Sequence, residues 1–407
     1  MGIIEPNKSV HHASVYINYD FEWATRLNRF MLNMIGIWPS VHKNKYDKFL
    51  SNLHVTFIII VLVFIGAIPG IHSLVRTWGN LMLMIDNLQF TLPLTMTIIK
   101  LIDLWWKKTD LLTAINMIAE DWVKIKTDKE RCIMIKQAQN ARILTMFGYA
   151  FMFGGCSLIL ILPCFGKSVR YITNITDPVK ILPLQTYYIY NKDRSPYFEF
   201  TFAAQALVVL MCVPSYSGVD NLFGLLMFHL CGQLEILKEK LINMKQFKSY
   251  KSVALIVKEH IRLIKCFCII ENTYTLLLLG QLIYFGTLFS LYGFLILVIL
   301  AEGNKLSLLR FMYLISIVIN VGGHMCLFCA VGEFLVVKCE TLYHATYENE
   351  WYKLEPKKAK ILLIIMIRTI KPLHITAGKI FPMTMSTFCK IIKTSAGYVS
   401  ILLAMQT

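Results

Sequence analysis

The residues that could do chemistry fall in three places. Cys326-x-x-Cys329 has the spacing of a thiol pair for metal or redox use, and Glu130-Arg131-Cys132 sets an acid beside a permanent cation and a thiol. Lys390, Lys393 and Thr394 gather two amines and a hydroxyl within about one helical turn. The thiol pair lies inside an unbroken apolar stretch, where cysteine behaves as a small buried residue, so packing is the expected use. Paired carboxylates, a Ser/His/Asp grouping, His-rich metal ligands and a Gly-rich phosphate loop after a strand are missing at local spacing. The chain is therefore expected not to be an enzyme, and no cofactor and no metal is expected.

The lysine cluster is different, because it interrupts the last apolar stretch. Lys390, Lys393, Thr394, Ser395, Gly397 and Ser400 stand among apolar residues between 380 and 405. A lysine inside a membrane helix is costly unless it faces protein or water or reaches the headgroups. Two readings follow: a water-filled pathway lined by several subunits, or a helix buried in a monomeric bundle. Toward its end Ile401, Ala404 and Met405 continue one face at i, i+3, i+4. A ring of such side chains would block ions by dewetting.

The elements that must position these residues are membrane spans. Apolar stretches at roughly 54–75, 81–102, 143–165, 200–229, 266–300, 311–335 and 380–405 each approach or exceed the ~20 residues that cross a bilayer. The segment before the first, and the second, fourth and sixth connections, hold 6, 8, 8 and 8 Lys+Arg, against 1, 5 and 2 in the other connections. Basic residues mark the cytoplasmic side, which predicts a cytoplasmic N-terminus and an extracellular C-terminus. A G-protein-coupled receptor has the reverse orientation, and its acid-Arg signature follows the third span, whereas Glu130-Arg131 precedes it. With 56% hydrophobic and 16% charged residues there is too little polar surface for a soluble globule of 407 residues. The +16 net charge sits in short connections and suits anionic lipid, so nucleic acid is not an expected partner. No cleavable signal peptide is expected, since the first apolar run is long enough to remain a span. The eleven cysteines suggest no disulfide framework, and Asn174-Ile175-Thr176 is a glycosylation sequon in a connection placed outside.

The connections carry helices of their own. Phe21, Trp23, Leu27, Phe30 and Met31 share one helical face and predict a membrane-surface helix. Leu111, Leu112, Ile115, Ile118 and Ala119, and then Leu230, Leu234, Leu237 and Leu241, extend helices into the cytoplasm as an anchor layer. The third connection, rich in proline and tyrosine, reads as a lid over spans 3 and 4 or as an interfacial aromatic belt. The apolar run Ile361–Ile367 covers only about 10 Å as a helix, too short to span, and predicts a buried cytoplasmic helix over 357–371. Pro382 suits the first turn of the last helix. The expected fold is an all-α membrane protein, a single seven-helix transmembrane domain over residues 1–407.

From Ala345 onward the chain resembles insect odorant receptors. The matching pieces are Ala345-Thr346-Tyr347, Trp351-Tyr352, Arg368-x-x-Lys371-Pro372, Thr376-Ala377-Gly378-Lys379, Phe388-x-x-Ile391-Ile392-Lys393, and Ser395-x-x-Tyr398. Span number, orientation and Ser195-Pro196-Tyr197 extend the likeness over the whole chain at pattern level. The resemblance implies a subunit of a ligand-gated non-selective cation channel, a heterotetramer with the family's co-receptor in the plasma membrane of olfactory sensory neurons. It implies a pore lined by the last helix, here Lys390, Thr394, Gly397, Ile401, Ala404 and Met405, with the gate at Ile401. The short fourth connection and the tail differ from the co-receptor, which makes this chain a tuning subunit.

The resemblance further implies a pocket for a small volatile organic ligand in the outer halves of spans 2, 3, 4 and 6. Here these supply Met84, Asn87, Leu88 and Thr91; Phe151, Gly154 and Leu158; Phe202, Ala206 and Leu210; and Tyr313, Ser316 and Ile317. Asp86, an acid within span 2, needs a partner: a polar ligand group or, the favoured reading, an intramolecular hydrogen bond. A gustatory receptor shares the architecture, but its Thr-Tyr…Gln-Phe ending is missing, and a transporter would show repeated halves.

Overall fold

Among the described residues, seven helices are long and apolar enough to cross a bilayer, and several are too long to stop there. The computed structural model describes residues 7–38, 44–124, 126–170, 172–173, 176–177, 179–243, 250–302, 308–348, 351–353 and 355–404. In chain order the helices are α1 (Asn7–Met34), α2 (Lys45–Val61), α3 (Ile68–Arg76), α4 (Leu81–Trp106), α5 (Lys108–Val123), α6 (Asp128–Cys164), α7 (Tyr197–Ile242), α8 (Tyr250–Glu302), α9 (Leu308–Tyr347), α10 (Pro356–Thr369) and α11 (Met385–Ala404). A π-helical turn, Leu62–Ala67, joins α2 to α3 into the first span. The 46 residues of α7 rise about 69 Å, against a hydrocarbon core of about 30 Å. The excess projects from one end of the bundle. The other end, under the 165–196 loop, is called the lid end here.

Local signals explain where the helices begin. Asn80 caps α4, its side chain accepting from the Leu83 N–H at 3.2 Å. Thr127 and Glu130 form a reciprocal capping box at the start of α6. Arg131 pairs with Asp20 of α1 at 2.8 Å, so the Glu130-Arg131 cluster is spent on helix ends and packing.

The projecting end is built from α1, α5, α10 and the ends of α6 to α9. Leu230, Leu234, Leu237 and Leu241 are all buried there. Asp121 joins three elements by bonding His229, Arg262 and Lys124. Burial alone would raise its carboxyl, but those partners hold it below the usual carboxylate range.

The structure departs from the sequence reading at four places here. α1 packs on α5, α6 and α7 through Ala24, Thr25, Asn28 and Leu32, which are buried, and of the Phe21, Trp23, Leu27, Phe30 and Met31 face it leaves Phe30 60% exposed. The second connection forms a separate helix, α5, beside the extension of α6. In α10 only Leu362, Ile365 and Thr369 are buried, while Ile364 and Ile367 stay exposed. The last helix starts at Met385, because Thr376–Ala377 pairs with Phe381–Pro382 in a two-stranded hairpin that takes Pro382 out of the helix. Gly378 and Lys379 turn that hairpin with φ of 63° and 59°. It packs so closely on α9 that a Cβ at Gly332 would sit 2.0 Å from the Met383 carbonyl.

Candidate functional site

Toward the lid end the helices separate around a cavity of about 790 Å³. Its walls come from α4, α6, α7, α8 and α9, with Gly66 and Gly70 of the first span. Those glycines bring the first span against α4: a Cβ at Gly66 would lie 2.6 Å from Leu94. The 184–186 segment closes one side. Leu184 N–H donates to Gln205 Oε1 at 2.9 Å, and Gln205 Nε2 donates to Thr186 Oγ1 at 2.7 Å. Tyr187 N–H donates to the Pro69 carbonyl at 3.0 Å, and Tyr188 hydroxyl to the Ile65 carbonyl at 3.0 Å. The loop therefore docks on spans 1, 2 and 4, where the sequence suggested spans 3 and 4. Arg170 and Asp177 staple it internally at 2.5 and 2.8 Å. Burial opposes ionisation of Asp177, but Arg170 and Lys192 outweigh it and hold the carboxyl below its usual range.

Of the thirteen residues expected in the pocket, Thr91, Phe151, Gly154, Leu158, Tyr313, Ser316 and Ile317 line the cavity. Nothing lies within 4 Å of a Cβ built on Gly154, so the space in front of it is open. Met84, Asn87, Leu88, Phe202, Ala206 and Leu210 lie off it. Asn87 is fully buried as a tie between elements: its amide donates to the carbonyls of Gly70 and Gln185 at 3.1 Å each and accepts from Thr91 at 2.8 Å. Leu210 is 51% exposed on the outer surface. On α7 the inward stripe is Gln205, Val208, Val209, Cys212 and Tyr216, whose phase is held by the Gln205 bonds to the loop. The stripe of Phe202, Ala206 and Leu210 is rotated away from it.

Sequence reasoning missed α8 as a wall. Tyr284, Phe285, Leu288 and Tyr292 face the cavity at helical spacing, a signal present in the sequence but unassigned. It also missed that Ser316 begins a polar stripe at i, i+4, i+8 with Asn320 and His324. At the floor Tyr216 and His324 meet edge-on with centroids 6.0 Å apart. One turn further, Lys100 binds Asp220 at 2.7 and 2.8 Å and lies 3.4 Å from the Tyr216 ring centre. Gln89 lines the cavity at 5% exposure, and neither atom of its amide has a partner among the described residues. Asp86 bonds Arg310 at 2.8 and 3.0 Å, which realises the intramolecular reading.

The opposite face of α8 carries α11. Ser395 hydroxyl donates to the Gly286 carbonyl at 3.2 Å, and a Cβ at Gly293 would lie 2.8 Å from Val399. Lys390, Lys393, Thr394, Gly397, Ile401 and Ala404 are all exposed on the far side of α11, Ile401 at 56%. Met405 and Asn174 lie outside the described residues. Cys329 is buried and Cys326 half-buried, both as free thiols.

Comparison with known proteins adds the following. The model of the family described as 7tm Odorant receptor matches residues 80–396. The chain is similar to Odorant receptor 10 of Aedes albopictus, 24% identical over 51% of this chain and 56% of that one. Odorant receptor 82a of Drosophila melanogaster is 24% identical over 56% and 58%. The chain thus spans just over half the length of the curated relatives it matches. The structure of the insect olfactory receptor OR5 from Machilis hrabei in complex with eugenol is similar at a TM-score of 0.83, covering 96% of this chain and 99% of that one at 16% identity. At that identity the likeness fixes the fold.

Proposed function

The chain belongs to the 7tm Odorant receptor family, and on that premise we propose that it is the odorant-binding subunit of a heteromeric, ligand-gated, non-selective cation channel. Its partner is the family's co-receptor, and its place is the plasma membrane of olfactory sensory neurons. The basic connections put the lid end and the C-terminus outside and the projecting helices in the cytoplasm. A small volatile enters the cavity, whose size and mainly apolar wall suit such a ligand. Gln89 and the Ser316, Asn320 and His324 stripe supply its polar contacts.

The observation that carries this reading is the double role of α8. Tyr284, Leu288 and Tyr292 touch the cavity while Gly286 and Gly293 seat α11 on the reverse face. A ligand that favours one position of α8 therefore biases the position of α11, and differential affinity for two states is what shifts a gate. The exposed face of α11 is then the pore lining, with Ile401 as the dewetting constriction, and the half-covered α10 meets other subunits in the anchor layer.

Co-expression tests the assignment. The chain alone is expected to give little or no odorant-evoked current, and co-expression with the co-receptor is expected to produce it. Robust currents from the chain alone would sink the tuning-subunit reading.

A further inference from the structure

A second cavity, of about 240 Å³, lies at the projecting end between α7, α8, α9 and the segment that follows α10. Its wall is divided. Leu234 and Phe267 contribute an apolar side, and the Arg368 and Lys371 cations with the imidazoles of His260 and His374 a polar one. No Asp or Glu lines it among the described residues. The buried cations Lys100, Arg170 and Arg310 each bind a carboxylate, whereas Arg368 and Lys371 are exposed and line this cavity without one. The four cavity groups make no hydrogen bond or ion pair among the described residues. His260 is only 7% exposed, yet its ring is left without a partner. Neither ring nitrogen is sealed from solvent, so the imidazole is open to the cavity beside the Arg368 guanidinium and the Lys371 ammonium, where a ligand can bond it. The α10 C-terminus brings about half a negative charge to this place, which Arg368 and Lys371 together outweigh.

We propose that this cavity binds a phosphate group, presented by an anionic lipid headgroup or by free phosphate, held by Arg368, Lys371, His260 and His374. A phosphate offers several acceptor oxygens, enough for the Arg368 fork, the Lys371 ammonium and an imidazole N–H at once. Arg368, Lys371 and His374 are exposed at the mouth, so an anion reaches them without unfolding the anchor. The apolar side has room for the first carbons of an acyl chain. The site is separate from the odorant cavity and its lining comes from one chain.

The test uses the purified full chain in detergent, titrated by calorimetry. The probes are inorganic phosphate, dioctanoyl phosphatidylinositol bisphosphate, and dioctanoylglycerol as the phosphate-free control. Saturable binding of a phosphate-bearing probe is expected, weakened at least ~10-fold in Arg368→Gln and further in Arg368→Gln/Lys371→Gln, because each loses a charge-assisted bond. Lys357→Gln removes an exposed charge from the same helix, away from the cavity, and is expected to change nothing. Tighter binding of the lipid than of inorganic phosphate identifies a headgroup as the source, and equal binding identifies free phosphate. The proposal is overturned if neither phosphate probe saturates, if dioctanoylglycerol binds equally well, or if Lys357→Gln weakens binding as much as Arg368→Gln.

Discussion

One helix, α7, passes through two kinds of interior. From Val213 to Met227 every residue is buried apart from the half-covered Asp220, whose carboxylate is clasped by Lys100. From Tyr197 to Cys212 only Thr201, Gln205, Val208 and Val209 are buried, and beside them lies the large cavity. The sealed half resists change because close-packed interiors transmit strain and leave no gap to fill. The cavity half instead faces open volume, where added bulk meets no packed neighbour. Open space and close packing thus fall on different lengths of the same helix, with the Lys100–Asp220 pair in the middle of the packed one.

Breaking the sealed half should have the largest effect. Lys100→Met leaves Asp220 buried without its charge partner, a loss of about 3–5 kcal/mol for a broken buried pair. Surface biotinylation should show most of the protein lost, and Lys100→Met/Asp220→Leu should recover it. A wild-type level in the single variant would mean that this pair bears no structural weight.

The exposed face of α11 is the next place to probe, since it has neither kind of interior in a single chain. Ile401→Ser should wet the proposed constriction, raising ligand-free current several-fold or shifting ion selectivity at normal surface expression. The effect is diluted where co-receptor subunits supply most of the ring. Unchanged basal current and permeability would take Ile401 off the pore.

Within the cavity half, filling space should cost ligand and not stability. Gly154→Phe puts a ring into open volume and should shift agonist potency ratios by roughly 10-fold, the scale of a steric change in an apolar pocket, with normal assembly. Equal ratios across a volatile panel would remove that face of α6 from the pocket. The smallest effect is expected at Gln89. Gln89→Leu deletes a buried amide with no partner and should leave folding intact or slightly improved. Responses to hydroxyl- or carbonyl-bearing volatiles should fall about 5-fold, roughly one hydrogen bond, while hydrocarbons keep theirs. A uniform change across both classes would show that the amide does not read the ligand.

Much of the framework was legible in the residues. The Lys390 and Lys393 interruption marked α11 as unlike the other spans, and the 3.6-residue repeat of Leu230, Leu234, Leu237 and Leu241 extended α7 beyond any bilayer. The lining of the large cavity was legible only in part. Thr91, Gly154 and Tyr313 sit on spans the family resemblance pointed to, and they line it. Leu210 lies off it, and the sequence could not tell, because Phe202, Ala206 and Leu210 are as apolar as Val208, Val209 and Cys212.

The sequence by itself determined the number of spans, the polar character of the last one and the helical extensions at one end. These follow from length, hydropathy and charge, which are local properties. Only the tertiary structure decided which side of each span looks inward. Lipid and protein interior are both apolar, so hydrophobic periodicity carries little rotational phase inside a membrane. The phase is set instead by distant partners: Gln205 to a loop nineteen residues back, Asp86 to Arg310 across 224 residues, and α11 to the glycines of α8. Such pairings are contacts between elements, and they exist only once the chain has folded.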